Sequence, residues 1–107
     1  MNVSSFTPEE IHAIRCAIDF MEYELEDSTI RPSKWTYKHY TEVFRSAFKK
    51  ISSKDDADFS EDEVTFLSFV LRLYIETKEV HGITRSVPES FAEALSARKR
   101  ILSQLYA

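Results

Sequence analysis

Apolar positions recur along the chain at three- and four-residue spacing in four stretches, and each predicts an amphipathic helix. In the first, Ile11, Ile14, Ile18, Met21 and Leu25 mark one face. Phe6-Thr7-Pro8-Glu9-Glu10-Ile11 opens it as a complete helix N-terminus. Thr7 is the N-cap, Pro8 occupies the first helical position, and Glu10 closes a capping box while Phe6 staples onto Ile11. The helix is expected to reach about Asp27. The same signature returns at Phe59-Ser60-Glu61-Asp62-Glu63-Val64, followed by Leu67, Val70, Leu71 and Tyr74. That helix is expected to run to about Val80, with His81-Gly82-Ile83 as its stop.

Between these two, a helix is predicted over roughly Ser33 to Ser52, marked by Trp35, Tyr40, Phe44, Ala47, Phe48 and Ile51. A fourth spans roughly Val87 to Tyr106, with Ser86 and Glu89 as a capping box and Phe91, Leu95, Leu102 and Leu105 on one face. Residues Ser52 to Asp58 form a polar connector too short to separate domains. The expectation is an all-α protein, a four-helix arrangement built from two αα-hairpins, in a single domain over residues 1–107. The halves resemble one another. Phe-Thr-x-x-Glu-Ile at residue 6 matches Phe-Ser-x-x-Glu-Val at residue 59, and Ala47-x-Lys49-Lys50-Ile51 matches Ala97-x-Lys99-Arg100-Ile101. An old duplication accounts for this, and so does independent recurrence of an effective capping motif.

Composition agrees with long helices. The chain has only one Gly and three Pro, too few for a sheet rich in tight hairpins. Cys16 is the only cysteine, which excludes an internal disulfide and suits a reducing compartment. Met1 to Phe6 has no secretory pattern, and apolar runs do not exceed three residues, far below the roughly 20 that span a bilayer. A cytoplasmic protein without membrane contact is expected. Charge alternates along the chain. Residues 1–30 hold one basic and seven acidic side chains, residues 31–54 seven and one, residues 55–79 two and eight, and residues 80–107 four and two. The pattern discourages like-charged helices from pairing, and it leaves the second helix as a basic element on an acidic protein.

Chemistry is not in view. His12, His39 and His81 have no partner at three- or four-residue spacing that makes a strong metal site, His39 with Glu42 being a weak pair, and the acidic run Asp55 to Glu63 lacks the Gly and Glu of a calcium loop. There is no phosphate loop and no nucleophile elbow. Cys16, beside Arg15 and one turn from His12, reads as a small packed hydrophobe. No catalytic, metal-binding or cofactor-binding residue is assigned, and the chain is read as a non-enzyme. Two surfaces invite a partner instead. The third helix carries apolar side chains at nine of the twelve positions from Val64 to Ile75, with a second stripe of Phe66, Phe69 and Leu73 beside the first. The first helix has Cys16, Phe20 and Tyr23 likewise. Either the third helix is central or these residues are an interface, and a homodimeric regulator, adaptor or inhibitor is the expected function. The basic, aromatic second helix is the other surface. Lys34, Trp35, Tyr37, Lys38 and Arg45 suit a protein hot spot or, in the alternative reading, nucleic acid, although an isoelectric point near 5.4 is unusual for the latter.

Overall fold

The computed structural model describes residues 1–25, 32, 34–53, 56–81 and 88–105, with side chains at all of these except 22–25, 77–81 and 88–91. A single 3-10 turn, Val3–Ser5, precedes four helices: α1 Pro8–Leu25, α2 Tyr37–Ser52, α3 Glu61–His81 and α4 Pro88–Leu105. The fold is all-α, with the four helices packed into one compact globule. Its radius of gyration is 13.1 Å, close to the roughly 13 Å expected of a folded chain of about this length.

Local chemistry sets the helix starts. The Thr7 N–H donates to Glu10 Oε1 at 2.8 Å, and the Glu10 N–H returns to Thr7 Oγ1 at 3.1 Å. Ser60 and Glu63 form the same reciprocal pair at 2.8 and 3.1 Å. The second helix departs from expectation: it begins at Tyr37, four residues after Ser33. Thr36 is extended and its hydroxyl accepts the His39 N–H at 3.1 Å, so it takes the cap. Lys34 and Trp35 lie in the approach, where the Trp35 N–H closes a turn onto the Pro32 carbonyl at 2.9 Å. Pro88 opens α4, where a missing N–H is harmless. The expected stop at Gly82 and cap at Ser86 lie outside the described residues, as does the end of the first helix at Asp27.

The third helix is central together with the first: α3 packs against α1, α2 and α4, and α1 packs against α2, α3 and α4. Ile14, Ile18 and Met21 of α1, Tyr40 and Phe44 of α2, Leu67, Val70 and Leu71 of α3 and Ala94, Ala97 and Ile101 of α4 share one apolar core. Aromatic rings fill the side between α2 and α3. Phe66 sits 5.5 Å from Phe44 and 5.6 Å from Tyr40, centroid to centroid. The Tyr40 hydroxyl is buried with no hydrogen-bond partner among the described residues. Burial pushes its pKa up to about 12. Tyr40→Phe is therefore expected to leave stability unchanged or raise it by up to about 1 kcal/mol, because the buried hydroxyl recovers no bond for its lost hydration. Urea unfolding reads this, and a loss above about 1 kcal/mol would reveal a partner for the hydroxyl.

The repeat in the sequence is also a repeat in space. The staple rings Phe6 and Phe59 are both buried and meet edge to face at 6.4 Å. The segments before them pair antiparallel: the Val3 N–H donates to the Ala57 carbonyl at 3.0 Å and the Phe59 N–H to the Met1 carbonyl at 2.9 Å. Asp56, from the acidic run, accepts from the Ser4 N–H, the Ser4 hydroxyl and the Asn2 amide at 2.9 to 3.1 Å. Part of that run thus ties down the N-terminal turn. Each capping-box glutamate also grips a helix of the opposite half. Glu63 of α3 accepts from Ser46 Oγ at 2.8 Å and Lys50 Nζ at 2.6 Å on α2. Glu10 of α1 accepts from Ser96 Oγ at 2.8 Å and lies 3.2 Å from Arg100 Nη2 on α4. The two carboxylates are only 2% and 3% exposed. Burial raises both pKa values. For Glu10 the opposing effects of the Thr7 N–H, Ser96 and Arg100 outweigh it; for Glu63 those of Lys50, Ser60 and Ser46 do. Both carboxyls titrate below their ordinary value.

Candidate interaction surface

The approach to α2 holds the most exposed aromatic side chain among the described residues. Tyr37, first residue of α2, is 52% exposed, with Lys34 and Lys38 exposed beside it. Trp35 is half-buried. Its ring stands edge-on to His39 at 4.8 Å and tilts against Tyr40 at 6.3 Å, so the core holds it in place. His39 Nε2 lies 3.0 Å from Asp62 Oδ2, joining α2 to the first turn of α3. Both groups are well exposed, and such a pair contributes under about 1 kcal/mol. Arg45 and Lys49 continue the basic side along α2, interrupted by exposed Glu42. Of the five residues expected there, Lys34 and Trp35 lie in the approach to α2 and Tyr37, Lys38 and Arg45 on the helix itself. Four are exposed, and Trp35 is the anchored one.

The second stripes on α1 and α3 are placed differently. Phe66 is fully buried, because α2 lays Tyr40 and Phe44 over it, so it belongs to the core and not to a surface. Phe69 is half-buried, edge-on to Tyr40 at 6.2 Å, with the Arg72 guanidinium 5.7 Å from its ring centroid. Leu73 and Phe20 are half-buried, and Phe20 packs edge-on to Tyr74 at 5.8 Å. Cys16 is half-buried with Sγ 3.7 Å from His12 Nε2. The side chain of Tyr23 lies outside the described residues. Much of what made α3 too apolar for one face is accounted for by its central position.

The buried glutamates are fully engaged as acceptors. All four carboxylate oxygens accept hydrogen bonds, and the partners are donors: backbone N–H, serine hydroxyl, ammonium or guanidinium. Among the described residues no three His, Cys, Asp or Glu side chains gather closely enough to hold a metal ion. No described helix is long and apolar enough to cross a membrane.

Sequence reasoning misplaced one surface. On α4, Leu95 and Leu102 were expected to face the core, but the buried positions are Ala94, Ala97 and Ile101. Leu95 is 41% exposed, and Leu102 is intermediate. With Arg98, Lys99 and Ser103 they line a shallow groove of about 410 Å³. The signal was present in the sequence, since 94, 97 and 101 also have helical spacing, but the larger leucines masked it. No family model, curated protein or solved structure matches this chain.

Proposed function

We propose that the chain is a non-catalytic protein-interaction module, a small regulator, adaptor or inhibitor that works by contact. The observation that carries this reading is Tyr37. It stands in solvent at the head of α2, beside a core-anchored Trp35 and the cations Lys34 and Lys38. Tyr, Trp and Arg are the side chains on which protein interfaces most depend, and a rigidly held aromatic loses little entropy on binding. The test is quantitative cross-linking in cell extract, comparing the wild-type chain with a Tyr37→Ser, Lys38→Glu variant. A defined set of proteins is expected to be captured by the first and at least tenfold depleted with the second, with identical circular dichroism. Equal capture by both chains would remove this surface from the reading.

The homodimer expected from the sequence has less support within this reading. With Phe66 inside the core, the half-buried Cys16, Phe20, Phe69 and Leu73 are what the described side chains leave to such an interface. Light scattering over a range of concentrations decides it, and a concentration-independent monomer mass would exclude it. The nucleic-acid alternative rests on the exposed cations Lys38, Arg45 and Lys49 of α2. It requires oligonucleotide binding that weakens steeply between 50 and 200 mM salt, roughly in proportion to the number of phosphates contacted. The net charge of −4 opposes it.

A further inference from the structure

The outer side of α4 carries a surface that the fold does not require. Leu95 and Leu102 lie seven residues apart, hence on one side of the helix, and neither is among the buried residues of α4. The internal repeat supplies a control. Ser46, Ala47, Lys50 and Ile51 of α2 correspond to Ser96, Ala97, Arg100 and Ile101 of α4, and each serine and cation grips the equivalent buried glutamate. In that register the position of Leu95 is taken on α2 by Arg45 and that of Leu102 by Ser52, both exposed. The same place in the fold is thus filled by solvated side chains in one half and by leucines in the other. An exposed Leu95 and a half-buried Leu102 at positions that polar residues fill equally well point to a covered surface.

The charges around the groove say what covers it. Arg98 and Lys99 line it, and among the described residues no carboxylate does. Arg98 Nε is buried and has no hydrogen-bond partner among the described residues, a donor without an acceptor. The groove, at about 410 Å³, has room for a few apolar side chains. We infer that the Leu95–Leu102 groove of α4 docks an amphipathic helical segment of another protein, whose apolar side chains enter between the leucines and whose flanking Asp or Glu side chains meet Arg98 and Lys99. The inference rests on the protein-interaction reading and adds a second surface to it, separate in sequence from Tyr37. Helix-in-groove recognition supplies the apolar anchors, and the carboxylate–guanidinium contact sets polarity.

Three synthetic helical peptides of about 16 residues test it, sharing one leucine pattern and differing only in whether the flanking positions are Glu, Gln or Lys. Fluorescence anisotropy is read on the full 107-residue chain at low and high salt. The Glu peptide is expected to bind at least tenfold more tightly than the Gln peptide, and the Lys peptide to show no binding. Leu95→Arg with Leu102→Ser, which copies the α2 residues onto α4, is expected to abolish binding and leave the thermal unfolding midpoint in place. Arg98→Gln with Lys99→Gln is expected to erase the preference for Glu over Gln. Equal binding of the Glu and Lys peptides, or retention of binding in the leucine variant, would overturn the proposal. So would light scattering showing a wild-type dimer that the leucine variant dissolves, since the occupant would then be a second copy. The Tyr37→Ser, Lys38→Glu variant separates the two readings. Normal peptide binding by that variant, together with loss of its extract partners, supports both surfaces. Peptide failure with intact Tyr37-dependent capture defeats the α4 inference alone.

Discussion

Phe66→Ala is expected to lower the stability of this protein by about 3–5 kcal/mol, the range for deleting a buried Phe side chain. Phe66 is fully buried between Tyr40 and Phe44, on a helix that all three others touch. Its removal leaves a void walled by two rings of α2, Tyr40 and Phe44, which close packing keeps from collapsing fully into it. Domains of this size are stable by roughly 5–15 kcal/mol, so the loss would consume much of the total. It would lower the melting temperature by about 4 °C or more for each kcal/mol. Urea unfolding measures the first quantity and calorimetry the second. The result also discriminates between two roles. An interface side chain would change association and leave the monomer's stability nearly untouched; a core side chain does the reverse. Phe66→Leu, which keeps much of the volume, should lose roughly 1.5 kcal/mol or less.

The second large effect is expected at the two buried carboxylates. Glu63→Gln should destabilise by about 2–3 kcal/mol, because it exchanges a charge-assisted acceptor for a neutral amide and turns an N–H₂ toward groups that are themselves donors. Lys50 keeps 29% of its side-chain surface and rehydrates in part, which holds the loss below that of a fully buried pair. Glu10→Gln should lose less, since Arg100 is 44% exposed. The pH dependence follows from the direction of the shifts. Both carboxyls titrate below their ordinary value of 4.5 when folded. The folded state therefore holds fewer protons than the unfolded state in that range, and stability falls as pH falls. The contribution is fully present above the unfolded value and is lost as pH drops through the folded ones. Stability should be flat on this account from neutral pH to about 5, then decline more steeply in wild type than in the Glu10→Gln, Glu63→Gln double variant. Parallel acid profiles for the two proteins would mean that other carboxylates carry the acid sensitivity.

Both predictions concern features that were only half visible in the sequence. Glu10 and Glu63 were legible as capping-box residues, since the hydroxyl and carboxylate of such a box sit three residues apart and meet through local geometry alone. That each also reaches across to Ser96 and Arg100, or to Ser46 and Lys50, was not. Those partners are brought close by packing, and periodicity carries no information about which helices become neighbours. The basic, aromatic side of α2 was legible as a group of residues, but the exposure of Tyr37 against the anchoring of Trp35 was decided by where Thr36 starts the helix.

What the chain determined by itself was the number of helices, the starting caps of α1 and α3 and the apolar stripes of α1, α2 and α3, because each is encoded within one or two turns. What only tertiary structure decided was which helices pack against all the others and which side of α4 turns inward. On α4 two stripes compete, Leu95 with Leu102 and Ala94 with Ala97 and Ile101, and transfer free energy alone favours burying the leucines. The alanines won. The helices α1 and α4 make the most extensive pairing in the fold, α1 buries Ala13 and Ala17, and small side chains let helix axes approach closely. With Arg100 drawn to Glu10, that approach orients α4, and the leucines are left on the outside.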